Sequence, residues 1–142
     1  MKTELIKDIL VSEPDGRTIV VSGWVRTKRE SKNLVFLQVN DGSCFASLQL
    51  TFDRENPLCC EGANLQDSLN QLEANLKSLT TGASLRATGK LIPSPASGQA
   101  VELQLEQLEV LGQAPADSYP LQKKNHSMEF LRENAHLRAR TN

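Results

Sequence analysis

Apolar and polar residues alternate in short runs along most of the chain. In "RTIVVSGWV", Ile19, Val21 and Val25 fall on one parity and Thr18, Ser22 and Trp24 on the other, the period-two pattern of a half-buried strand. "LVFLQVN" and "CFASLQLTF" repeat it on either side of "NDGS", where Asp41-Gly42 predicts a hairpin turn. "SLRATGKLI" reads as a fourth strand. "AVELQLEQLEVL" reads as a fifth, with its parity slipping between Leu105 and Leu108 as a β-bulge requires. Between the third and fourth strands the period changes. Leu65, Leu69, Leu72, Leu76 and Leu79 recur at the spacing of one helix face, with Asn64 or Asp67 as candidate caps and Gly82 beyond the end.

Three strands, a helix and two further strands are the element order of the OB-fold, a five-stranded barrel that is all-β apart from one inserted helix. The pattern places this domain over residues 15–112, after an N-terminal segment 1–14 and before an extended hinge over 113–142. A short C-terminal helix is predicted to start near Ser127, with Ser127 as N-cap and Glu129 in the first turn. Another small β-barrel or an α+β domain is the alternative architecture. Strand parity puts Val35, Leu37 and Val39 and, on strand three, Cys44, Ala46, Leu48, Leu50 and Phe52 toward the core. Phe36, Gln38, Phe45, Gln49 and Thr51 are left on the opposite face.

Charge adds one feature. The 142 residues carry a formal net charge of -1, yet Arg26, Lys28, Arg29 and Lys32 crowd the link between strands one and two against a single Glu30. A basic patch on a nearly neutral protein suggests a localised anion contact. Beside an outward aromatic, Phe36, and an outward amide, Gln49, it supplies what a splayed single-stranded base requires: phosphate neutralisation, stacking and edge hydrogen bonds.

Other chemistry is not indicated. Cys44, Cys59 and Cys60 make an odd count without CxxC spacing, so neither a disulfide framework nor a zinc site is expected, and a reducing, cytoplasmic setting fits best. No apolar run has the roughly 18 residues of a membrane span, and "MKTELIKDILVSEPDGR" lacks the apolar centre of a signal peptide.

The stretch "VSGWVRTKRESKNLVFLQVNDGSCFASLQL" resembles the anticodon-binding domain of class II aminoacyl-tRNA synthetases of the aspartate, asparagine and lysine group. "YPLQKKNHSMEFLRENAHLRARTN" resembles the hinge of the bacterial-type asparaginyl-tRNA synthetases. The segment "RENPLCCEGANLQDS" is longer than usual for the group. The resemblance implies that Arg26, Lys28 and Arg29 contact the anticodon loop, that Phe36 stacks on an anticodon base, and that Gln49 reads the edge of the middle uridine. It implies a contact to the first anticodon base for Glu102. Where the aspartate enzymes carry a second stacking aromatic, this chain has Thr51, with Phe52 adjacent.

The implied partner is the anticodon stem-loop of tRNA(Asn), with a homodimer expected for full-length members. The chain ends at Asn142, where the catalytic domain of the family would begin, and it contains neither the class II motifs nor a glycine-rich phosphate loop. It is therefore expected to be a fragment or split piece without catalysis of its own. ATP and magnesium would belong to the catalytic domain, absent here or carried on another chain. The alternative is a free-standing single-strand-binding or regulatory OB protein derived from the synthetase.

Overall fold

A computed structural model of the chain describes residues 2–57, 65–95, 98–121 and 124–140. Its elements, in chain order, are α1 (Ile6–Ile9), β1 (Thr18–Glu30), β2 (Leu34–Asn40), β3 (Leu48–Asp53), α2 (Leu65–Ser78), β4 (Ser84–Pro93), β5 (Val101–Gly112), α3 (Met128–Glu133) and a 3-10 helix (Ala135–Arg140). The strands close into a barrel in the order β1-β2-β3-β5-β4, every pairing antiparallel except β3 with β5. This is the OB-fold that the element order predicts.

The apolar parities meet inside. Val35, Leu37, Leu50, Phe52, Leu85, Leu91 and Leu103 are fully buried there, each removing roughly 1.5–3 kcal/mol worth of apolar surface from water. Helix α2 turns Leu72 and Leu76 inward, with Leu79 just past its end, while Leu65 stays half exposed, so the buried stripe starts a turn later than the leucine spacing suggests. The bulge in β5 lies where the parity slips: Leu105 pairs with Gly89 and Gln107 with Thr88, leaving Glu106 as the extra residue. Gly89 is required at that point, because a Cβ there would meet the Gln104 carbonyl oxygen at 2.2 Å.

Three expectations are corrected. Strand β1 continues through the basic residues to Glu30, so Arg26, Lys28 and Arg29 sit on a strand and only Ser31, Lys32 and Asn33 form the turn. Strand β3 begins at Leu48, not Cys44, because the Asn40 amide bonds the Cys44 and Ala46 carbonyls, each at 3.0 Å, and holds residues 41–47 as a loop. Asp41-Gly42 therefore opens a wide connection, not a tight hairpin. The N-terminal segment 1–14 contributes to the same core: Ile6 and Ile9 are completely buried in the barrel. Leu5, at the N-cap of α1, makes no side-chain cap bond, and Asp41 Oδ2 accepts from the Ile6 N–H at 2.9 Å instead. Burial pushes the Asp41 carboxyl up, but hydrogen bonds from Ser43 and the Ile6 N–H outweigh it and hold the group below its ordinary value.

After β5 the chain stays on the barrel through Ala114, Tyr119 and Leu121. Ser127 caps α3 as predicted, its Oγ accepting from the Phe130 N–H at 3.1 Å. No residue of α3 or of the 3-10 helix is buried, His126 and Phe130 stack at 4.4 Å, and Arg140 lies 5.9 Å from the Trp24 ring. Asn64, Cys59 and Cys60, singled out in the sequence, fall outside the described residues.

Candidate nucleic-acid interface

Strand alternation sorts the side chains before any partner is considered. On β2 the burial pattern alternates, leaving Phe36 and Gln38 outside a core of Val35, Leu37 and Val39. Register then builds two cross-strand rows on the outer face of β1, β2, β3 and β5. Arg29 pairs with Phe36, Phe36 with Thr51 and Thr51 with Gln104. In the second row Thr27 pairs with Gln38 and Gln38 with Gln49, and Gln49 reaches Glu102 across the parallel β3–β5 junction.

The first row joins a cation to an aromatic. The Arg29 guanidinium lies 5.7 Å from the Phe36 ring centroid, within cation–π range, and its side chain is exposed. Thr51, beside Phe36 on the next strand, cannot stack. Phe52 cannot replace it, being 1% exposed inside the barrel. Among the described residues, these two rows therefore carry one aromatic platform, Phe36, with a short side chain next to it.

The second row is a hydrogen-bonding edge. Gln49 Nε2 donates to Glu102 Oε2 at 3.1 Å, and Ser94 Oγ donates to the same oxygen at 3.4 Å. Both members of the pair are 6% exposed, so Gln49 stands on the outer parity but is far more enclosed than its alternation suggests. Burial raises the Glu102 carboxyl above its ordinary value, while the bonds from Gln49 and Ser94 act the other way without cancelling it. Among the described residues nothing donates to Gln49 Oε1. Thr27 Oγ1 donates to Gln38 Oε1 at 3.3 Å beside it. In the β4–β5 loop that carries Ser94, Gln99 Oε1 is buried without a partner among the described residues.

The structure splits the basic group. Arg26 sits at the bulge in β1, half-buried, where the register shifts between Val25 and Thr27. Beyond the bulge Lys28 pairs with the core residue Leu37 and so takes the inward parity at the barrel rim. Its ammonium donates to the Leu76 and Leu79 carbonyls at the end of α2, where a cation is favoured. Lys28 is thus apart from the row that holds Arg29. Of the six predicted residues, Arg29, Phe36, Gln49 and Glu102 come together on one face, Arg26 lies at its edge and Lys28 is used elsewhere.

Arg54, which no local pattern singles out, holds the β1–β2 turn in place. Nε and one terminal nitrogen donate to the two Glu73 oxygens at 2.7 and 3.2 Å, that second nitrogen also meets Glu30, and the other donates to the Ser31 and Lys32 carbonyls at 2.9 and 3.3 Å. Glu30 is held below its ordinary carboxylate value, chiefly by the Arg54 hydrogen bond. Gln104 and Ser94 join Gln38, already expected on the open face, as polar residues of this site that the sequence reading does not single out. Period-two alternation marks Gln104, but only the β4–β5 loop brings Ser94 to Glu102.

A family model described as an OB-fold nucleic acid binding domain matches residues 19–111. The asparagine–tRNA ligase of Treponema denticola is 59% identical over 138 residues, which is 97% of this chain and 27% of that protein. The asparagine–tRNA ligase of Microcystis aeruginosa is 46% identical over 140 residues, 99% of this chain and 28% of that protein. The chain thus spans little more than a quarter of the length of these relatives. Among solved structures, asparaginyl-tRNA synthetase from Pyrococcus horikoshii, complexed with asparaginyl-adenylate, matches in fold with a TM-score of 0.69 at 20% identity, over 99% of this chain and 29% of that one. The chain belongs to the family of OB-fold nucleic acid binding domains.

Proposed function

We propose that this chain binds the anticodon loop of tRNA(Asn) on the outer face of β1, β2, β3 and β5. It serves there as the specificity module for ATP-dependent attachment of asparagine, with ATP, magnesium and the chemistry handled outside these residues. Full-length assemblies are homodimers in this reading, and the compartment is the cytoplasm. Among the described residues no helix is long and apolar enough to cross a membrane.

The observation that supports the reading best is the row of Arg29, Phe36 and Thr51 beside the row of Gln38, Gln49 and Glu102. Phe36 offers a stacking face, which any base satisfies. Arg29 lies over that face, suited to hold a phosphate or cover the stacked base. Gln49 keeps its amide oxygen unused, suited to the edge of the middle base of a GUU anticodon. Arg26 adds positive charge at the margin. Glu102 is committed to Gln49 and Ser94, so its contribution to the first base goes through the oxygen those bonds leave available.

The test is a titration of anticodon stem-loops that differ only at the middle base, at two salt concentrations. Uridine should bind best. Gln49→Ala should remove roughly 1–3 kcal/mol of that preference, the size of a good bidentate base contact. Equal affinity for all four bases, with a steep salt dependence, would instead indicate a binder of single strands without sequence preference.

A further inference from the structure

The Gln49–Glu102 hydrogen bond has a consequence for base choice, and it rests on the reading that Gln49 faces the middle base. A glutamine amide is ambivalent by itself. Its terminal torsion is close to two-fold, and a flip exchanges a donor NH2 for an acceptor oxygen at nearly the same place. An unrestrained Gln49 can therefore meet either pyrimidine: acceptor against the N3–H of uridine, or donor against the N3 lone pair of cytosine.

Glu102 removes the ambivalence. An ionised carboxylate only accepts, so the group turned toward Oε2 must be Nε2, as the 3.1 Å contact has it. Flipping the amide would set Oε1 against the carboxylate in a site where both residues are 6% exposed and water screens little. Ser94 adds a donor to the same carboxylate oxygen at 3.4 Å and helps hold it in place. In the permitted orientation Oε1 points away from Glu102 and has no donor among the described residues. We propose that Glu102 is a positioning residue: by holding the Gln49 amide in one orientation it presents an acceptor to the bound base, and so selects a ring N–H over a ring lone pair.

The experiment uses the 142-residue chain and stem-loops carrying uridine, cytosine or 3-methyluridine at the middle position. The wild type should prefer uridine over cytosine by about tenfold or more. It should reject 3-methyluridine to a similar extent, because that base keeps its carbonyls but loses the ring N–H. Glu102→Gln, which keeps shape but can face Gln49 with either end, should bring the uridine-to-cytosine ratio down by about tenfold. In a Gln49→Ala background the same change should leave the ratio where Gln49→Ala alone put it.

A ratio retained in Glu102→Gln overturns the proposal while the anticodon reading stands. So does a Glu102→Gln effect that persists without Gln49, since Glu102 would then touch the base directly. A wild type indifferent to the middle base removes the anticodon reading itself, and this proposal with it. Should Glu102→Gln fold poorly in a thermal melt, the side-chain amide NMR signal of Gln49 in the wild type decides. A slowly exchanging, hydrogen-bonded Nε2 proton is expected, and a solvent-like exchange rate overturns the proposal.

Discussion

Two polar clusters flank the β1–β2 hairpin, and one carboxyl in each is shifted, Glu30 below its ordinary value and Glu102 above it. Around Arg54, five contacts use the donor capacity of one guanidinium and hold Glu30 below its ordinary pKa. Around Glu102 a single amide and a longer hydroxyl contact leave the buried carboxyl raised. The first cluster is saturated and joins elements. The second keeps an unused acceptor, Gln49 Oε1, at the face where a base would lie. Density of charge therefore marks the structural cluster, and unspent hydrogen-bonding capacity marks the candidate interface.

The largest effect expected is on the interface side. Phe36→Ala should weaken every stem-loop by about 1–3 kcal/mol, uniformly across sequences, because stacking tolerates any base. Fluorescence anisotropy against a set of loops checks this, and a loss confined to one sequence would mean that Phe36 reads and does not merely stack.

Arg54→Ala should do the reverse. It releases Glu73, Glu30 and the turn carbonyls, and should lower stability to urea by about 1–2 kcal/mol. The uridine-to-cytosine ratio should stay unchanged. The acid limb of the stability profile should alter too. A carboxyl held low when folded stabilises above its unfolded pKa, and that contribution is lost as pH falls through the folded value. Without Arg54 the share due to Glu30 should disappear, which urea midpoints measured from pH 7 downward would reveal.

The smallest effect is the most diagnostic. Glu102 is raised by burial, so as pH rises the unfolded chain gives up this proton before the folded one does. Stability is then lost between the unfolded and the raised folded pKa, and stays lower above both. Glu102→Gln should therefore be slightly more stable than the wild type at neutral pH, by less than about 1 kcal/mol, with the gain vanishing in acid. A variant that is less stable at neutral pH would place Glu102 with Arg54 as a structural residue.

Period and order along the chain were enough for the barrel. The leucine helix between strands three and four, the slip at Glu106 and the N-cap at Ser127 are local patterns, set by side-chain spacing and backbone chemistry. Phe36 was legible for the same reason: alternation assigns a face without reference to any other strand. Burial of Gln49 was not, because enclosure depends on what other elements bring to that face.

What the tertiary structure alone decided are the long-range pairings. One bulge in β1 turns Lys28 inward to the end of α2 and leaves Arg29 outside on Phe36, although the sequence presents them as a single basic run. Asp41, read as a turn residue, caps a helix 35 positions away in the chain. Glu102 meets Gln49 across 53 residues. Alternation is a property of neighbours and survives in sequence. The partner of a polar side chain is set by barrel closure and register, which emerge only when the strands are assembled.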